Sequence, residues 1–251
     1  MYESLQQMQE ICETENKAFW ELVMEEEANE KQNSHEEVFE MMRSMYRAMV
    51  QADENYEDRR SASQMTGGAG ELMAKWNRDE KTLSGPFLGQ VMERALKMAE
   101  SNACMKRIVA APTAGSCGVL PAVMITCQKL EKCPEDEIVK ALFVAAGIGQ
   151  IIASRASIAG AQGGCQAEIG SASAMTAGAL VFLRGGSLQQ IYEATALALK
   201  GLLGLVCDPV AGLVEVPCVK RNVIGAVNAV SAADMALAGI ESRVPVDQVI
   251  D

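Results

Sequence analysis

Apolar positions in the first part of the chain recur at helical spacing. Over residues 3–30 a modest stripe of Leu5, Met8, Cys12, Phe19 and Val23 predicts one long helix. Asn33-Ser34 interrupts it, and Ser34 followed by Glu37 has the spacing of a capping box, in which hydroxyl and carboxylate each satisfy a backbone donor. A second helix follows with Val38, Met41, Met45 and Met49 on one face, a stripe expected to be packing surface. His35, the only histidine, falls in its first turn and is expected to be structural or solvent-exposed.

Thr66-Gly67-Gly68-Ala69-Gly70 reads as a linker, dividing an N-terminal helical arm (1–65) from a larger domain (66–251). Beyond it, helical segments alternate with Gly/Pro breaks, around 87–104, 119–131, 135–154, 166–183, 188–204 and 222–241, with Pro134-Glu135 and Ser187 as helix starts. The uncharged run Ile108–Gln128 is long enough to raise the question of a membrane span. Pro112, Gly115, Gly118 and Pro121 interrupt it, so it reads as buried protein interior. Strand-like alternation is scarce. The expected fold class is all-α, with Ala/Gly-rich helices at its centre.

Composition sharpens this picture. Hydrophobic residues make up 49% but aromatics only 4%, so the core must be built from Ala, Val, Ile, Leu and Met, and helices can approach closely. The net charge of −11 is uneven: residues 1–60 hold sixteen acids and six bases, leaving the remainder near neutrality. The arm is therefore acidic, which argues against a nucleic-acid partner, because phosphate binding needs a basic surface. Met1-Tyr2-Glu3-Ser4 leads into polar helix without a signal-peptide pattern. The expectation is a reducing cytoplasm, where the eight cysteines are buried thiols, catalytic groups or metal ligands rather than disulfides.

Three segments depart from ordinary helix and loop: Ala111–Gly118, Gly160–Glu168, and Cys207–Gly212 continuing to Pro217–Asn222. Cys165, Cys207 and Cys218 each sit near Gly or Pro at a break in helix, where a thiolate can face a ligand and a helix N-terminus lowers its pKa. Cys12, Cys104 and Cys127 lie within apparent helices and are expected to be small buried hydrophobes, with Cys117 and Cys133 intermediate. No tight paired-cysteine motif is present, so spacing alone leaves open both a shared metal site and three unrelated thiols. Three thiolates on a four-iron cluster would leave one iron open as a Lewis acid. The Pro112–Gly118 loop precedes a helix starting near Val119, and a helix N-terminus there is expected to receive a substrate carboxylate, the alternative being a plain Gly-rich cap.

The strings VAAPTAGSCGVLPAV, IAGAQGGCQAEIGSASAMTAGA, GLVCDPVAGLVEVPCVKRN and ADMALAGIESRVPVDQVID resemble the α chain of iron–sulfur L-serine dehydratases over most of residues 100–251. The resemblance implies that Cys165, Cys207 and Cys218 are the three ligands of a [4Fe-4S] cluster. It also implies that residues 66–251 form the helical catalytic domain, that L-serine is the substrate, and that a separate β subunit with a regulatory fold completes a hetero-oligomer and brings a Ser/His-rich motif. Lys106, Arg155 and Gly201 depart from the family pattern, and family members continue past the position of Asp251 into a further tail.

The chemistry so implied is loss of the serine hydroxyl from the open iron and removal of the α-proton, followed by hydrolysis of the product to pyruvate and ammonia. Ser116, Thr113 and Ser84 are the candidates for holding substrate. Lys200 and Lys81 are candidate bases if buried, since desolvation lowers a lysine's pKa, and Glu168 and Asp208 are candidates for orienting neighbouring groups. The alternatives are a related iron–sulfur L-cysteine desulfidase, a non-catalytic iron–sulfur subunit, and a pyridoxal enzyme, for which no cofactor lysine is marked.

Overall fold

Serine hydroxyls start three of the helices. Ser4 accepts from the Gln7 N–H ahead of α1 (Leu5–Glu15). Ser34 and Glu37 form the expected capping box on α3 (His35–Glu54), and Ser187 forms one with Gln190 on α9 (Leu188–Gly201). The computed structural model describes residues 2–213 and 215–251, and among them every regular element is a helix. The others are α2 (Phe19–Lys31), α4 (Ala69–Arg78), α5 (Gly85–Ala103), α6 (Val119–Glu131), α7 (Glu135–Arg155), α8 (Gly160–Leu183), α10 (Val216–Leu237) and α11 (Val246–Ile250). The all-α expectation holds.

The long helix expected over 3–30 is instead two. Asn16 takes the left-handed conformation (φ 51°), and the Asn16 and Lys17 N–H groups both return to the Cys12 carbonyl. Asparagine tolerates this conformation as a helix stop. α2 then restarts with the Glu21 carboxylate accepting from the Ala18 N–H. Half of the expected methionine stripe faces solvent: Val38 and Met49 are buried, but Met41 and Met45 are 45% and 46% exposed. His35 is exposed, as expected.

The Thr66–Gly70 segment is not a loose tether. Thr66 is buried and its carbonyl accepts from the Ser61 N–H. It leads directly into α4, a helix absent from the expected set because its cap is not local. Glu100 of α5, 1% exposed, receives the Ala69 and Gly70 N–H groups at 2.8 and 3.0 Å and the Tyr56 hydroxyl at 2.7 Å. A buried carboxylate on orphan N–H groups complements the positive end of the helix. Exchange of Glu100 for Ala strands these donors, and is expected to lower stability by about 3 kcal/mol, read as a shift in urea midpoint.

α8 is the central helix. Every residue from Ile169 to Val181 is buried, as for a helix packed on all sides. α7, α9 and α10 surround it. Small residues set the spacing: Ser173 donates to the Gly225 carbonyl of α10 at 2.8 Å, and Asn228 joins Ser173 and the Ala198 carbonyl of α9, each at 2.9 Å. α7 is long and apolar enough to cross a membrane, yet most of it is buried in this core. The arm helices share that core: α2 and α3 lie against α7, Phe39 stacks on Phe143 (centroids 6.1 Å), and Phe19 meets Tyr192 edge-on. Arg43 pairs with Asp136, and Arg47 with Glu135, at 2.9 and 2.8 Å.

Candidate functional site

The N-terminal part of α8, the irregular run after α9 and the first turn of α10 meet at one end of the central helices. α8 begins at Gly160, but its axis breaks at Gly164, which has φ 72° and ψ −170°. Only glycine adopts this conformation at low cost. A Cβ there would lie 3.4 Å from the Cys207 nitrogen, an ordinary contact, so the two segments lie side by side. The Gln166 N–H donates to the Leu205 carbonyl at 2.8 Å, and the Gln166 Oε1 accepts from the Gly204 N–H at 2.6 Å. Cys165 is thereby placed beside the Cys207 run. Exchange of Gly164 for Ala places a side-chain-bearing residue in this strained conformation, with an expected loss of about 1–3 kcal/mol in denaturant unfolding.

α10 begins at Val216 rather than near 222, with Pro217 in its first turn, where a missing N–H costs nothing. Cys218 therefore lies inside the helix start. Glu215, just before it, accepts from the hydroxyls of Ser61 and Ser63 at 2.7 and 2.6 Å. Arg221 donates from Nη1 to Cys165 Sγ at 2.8 Å while Nη2 pairs with the Asp208 carboxylate. Asn222, 1% exposed, donates to the carbonyls of Gly115 and Cys218 at 2.8 and 2.9 Å and accepts from the Gly118 N–H at 2.8 Å. It thus ties the 111–118 loop to the helix that carries Cys218.

The three thiols lie on segments joined by Gln166 and Arg221 and differ in exposure. Cys165 is buried, Cys218 half-buried and Cys207 exposed. Burial pushes the Cys218 thiol up to about 11, reinforced by Cys165, Glu168 and Cys207 and opposed by Arg221. Burial also raises the Cys165 thiol, against the pull of the Arg221 guanidinium. The expected lowering by helix N-termini is outweighed for these two, because desolvation of a thiolate exceeds a helix-end effect. Cys12, Cys117 and Cys127 are fully packed, and all eight cysteines are unpaired by disulfide.

Among the described residues no three acidic, thiol or imidazole groups stand close enough to share one metal ion. A cluster is a different guest: its ligand sulfurs sit on different irons around a larger body. Three thiols on adjoining segments, with a guanidinium on one of them, make a donor set whose soft sulfur chemistry suits such a group.

The Ala111–Gly118 loop stands next to these thiols through Glu168, one turn after Cys165 on α8. Thr113 donates from its hydroxyl to Glu168 Oε1 at 2.5 Å, and its Oγ1 lies 3.0 Å from Ser116 Oγ. A Cβ on Gly115 would lie 2.6 Å from both Glu168 oxygens, so the carboxylate occupies space that a side chain would fill. The α6 N-terminus is not open to a substrate carboxylate. The N–H groups of Cys117, Gly118 and Val119 donate to the Ala114 carbonyl, Asn222 Oδ1 and the Ser116 carbonyl, and residues 116–120 are buried. The loop is anchored by its own donors, so the plainer cap reading holds there. Ser116 is fully buried and faces into the loop, where it braces Thr113.

The other sequence candidates are exposed. Ser84 is exposed, with its hydroxyl 3.1 Å from that of Thr82, at the start of α5. The far half of α5, through Leu96 and Ala99, is what packs against Val219. At 1.5 Å per residue Ser84 is roughly 20 Å from that contact. Lys81 is exposed, pairs with Asp79 at 3.0 Å and covers the Trp76 ring, and Lys200 is exposed in the last turn of α9. Lys106 pairs with Glu57 at 2.6 Å and Arg155 with Asp251 at 2.7 Å, while Gly201 faces Asn228, so these three departures occupy ordinary packing or surface roles.

Arg221 and Asn222 are the residues that sequence reasoning missed. Cys218, Arg221 and Asn222 stand at i, i+3 and i+4, and Cys165 and Glu168 at i and i+3, so each set shares a helix face. The signal became readable only with the helix starts at 216 and 160.

Fold and site together define an all-helical protein with a thiol-rich centre built where helices begin. A family model described as the serine dehydratase alpha chain matches residues 14–251, and the chain belongs to that family. A probable L-serine dehydratase α chain from Bacillus subtilis is 43% identical over the whole of this chain and 84% of its own length. The L-serine dehydratase α chain of Peptoniphilus asaccharolyticus is 38% identical over the whole of this chain and 86% of its own length. L-serine dehydratase TdcG of Escherichia coli is 46% identical over 62% of this chain and 35% of its own length.

Proposed function

We propose that this chain is the catalytic α subunit of an iron–sulfur L-serine dehydratase, which converts L-serine to pyruvate and ammonia in the cytoplasm. The observation that supports the reading is that the segments carrying Cys165, Cys207 and Cys218 are tied together by Gln166 and Arg221, with Glu168 one turn after Cys165. These cysteines are the proposed holders of a [4Fe-4S] cluster, whose unligated iron would act as a Lewis acid toward the substrate hydroxyl.

The chain's own groups then have distinct tasks. Glu168 is held at Oε1 by the Thr113 hydroxyl, leaving Oε2 to take the α-proton of serine. Thr113 sets the orientation of that carboxylate, Ser116 fixes Thr113, and Asn222 fixes the loop that carries both. Gly115 and Gly160 leave the space around Glu168 free of side chains.

A β subunit is the proposed partner. Val206, Val210 and Leu213 are exposed apolar residues next to Cys207, which supports a covering surface there. The test is anaerobic purification with the β chain, followed by iron and acid-labile sulfide analysis and assays on serine and cysteine. Iron, sulfide and serine-dependent pyruvate are expected. Sulfide release from cysteine alone would make the protein a desulfidase, iron without turnover of either amino acid a non-catalytic subunit, and bound pyridoxal without iron would overturn the proposal.

A further inference from the structure

The segment carrying Cys207 has few anchors of its own. Residues 206–213 are all exposed, and the Val210–Leu213 bridge lies within the segment. Gln166 holds the entrance through Gly204 and Leu205, and Ser61 and Ser63 hold Glu215 beyond the exit. Between these points the backbone of Val206 and Cys207 lies against Gly164, and, among the described residues, the ion pair from Arg221 to Asp208 ties the run back to the protein body.

Arg221 is well placed for this. Its side chain is 12% exposed and rises from the second turn of α10, one turn after Cys218, whereas Asp208 is 62% exposed. One guanidinium edge takes the Asp208 carboxylate and another nitrogen donates to Cys165 Sγ at 2.8 Å. The fork of donors on a planar guanidinium allows one side chain to serve two acceptors on different segments. An N–H donor to a cysteine sulfur is also compatible with that sulfur binding iron, and hydrogen bonds of this kind tune iron–sulfur centres.

We infer that Arg221 is a positioning residue: it straps the Cys207 loop, through Asp208, to the Cys165 sulfur and so keeps the ligand sulfurs of α8, the loop and α10 in one arrangement. The inference rests on the proposed cluster reading for its consequence, but the strap itself is a property of the metal-free chain.

The test compares the parent chain with Arg221→Ala, Asp208→Asn and the double variant, each produced with the β chain. First, the metal-free proteins are exposed to proteinase K, and cleavage within 205–213 is mapped by mass spectrometry. Each single variant is expected to be cut about fivefold faster or more, and the double variant no faster than the singles, because both remove one contact. Second, anaerobically reconstituted proteins are challenged with an iron chelator. Arg221→Ala is expected to hold iron about 10–100-fold less tightly, the range for loss of a residue that orients a metal ligand. Parental cleavage rates in both single variants, or additive effects in the double, would overturn the strap. Asp208→Asn changes an exposed side chain, so it decides the question even if Arg221→Ala fails to fold. A parent chain that takes up no iron would remove the cluster reading, while the protease comparison still judges the strap.

Discussion

Single exchange of Cys165, Cys207 or Cys218 for Ser is expected to abolish iron and sulfide binding under anaerobic reconstitution, and serine deamination with it, while leaving the helical fold in place. A serine hydroxyl is far harder to ionise than a thiol and is a poor partner for iron in a cluster held by soft ligands. The fold should survive because Cys207 is exposed and Cys218 half-buried, while Cys165, 3% exposed, sits at the kinked end of α8, where a hydroxyl costs no more than it would at Cys12. The controls run the other way. Cys127 is 0% and Cys12 is 5% exposed, so placing a hydroxyl there costs about 1–3 kcal/mol of stability unless it finds an acceptor. Neither touches the site, so both variants should keep full iron content. Circular dichroism, urea midpoints and iron analysis on the same samples separate the two groups. Iron retained by any one of the three site variants at the parental level would remove that cysteine from the ligand set.

Exchange of Glu168 for Gln is expected to lower kcat on serine by about 10²–10⁴-fold, the usual contribution of a positioned acid–base group. The amide keeps the size of the side chain and an acceptor for the Thr113 hydroxyl, so loop 111–118 and the iron content should be unchanged. What is lost is the proton acceptor. A kcat within tenfold of the parent would assign the base elsewhere, including to the β subunit.

Much of the fold was legible locally. The capping boxes at Ser34 and Ser187 mark α3 and α9 to the residue, because a hydroxyl three positions before its N–H partner is a purely local device. α6 and α7 follow from apolar runs bounded by Gly118, Lys132 and Pro134. The break at Asn16 was hidden by a stripe that stays in phase across it. α4 was hidden because Glu100, thirty residues further on, supplies its cap.

The same division runs through the site. The sequence by itself determined the all-helical class, the segments where chemistry concentrates and the three thiols worth following, since residue type and nearby helix breaks are local properties. Only the tertiary structure decided which of these groups meet. It brought Glu168 to Thr113, Arg221 to Cys165 and Asp208, and Asn222 to the 111–118 loop, and it left Ser84 and Lys200 exposed. It also closed the α6 N-terminus that looked open to an anion, by supplying acceptors from within the loop and from Asn222. The physical reason is that a hydrogen bond between segments distant in sequence depends on how the helices between them pack, and that packing is set by the summed burial of many small side chains rather than by any short motif.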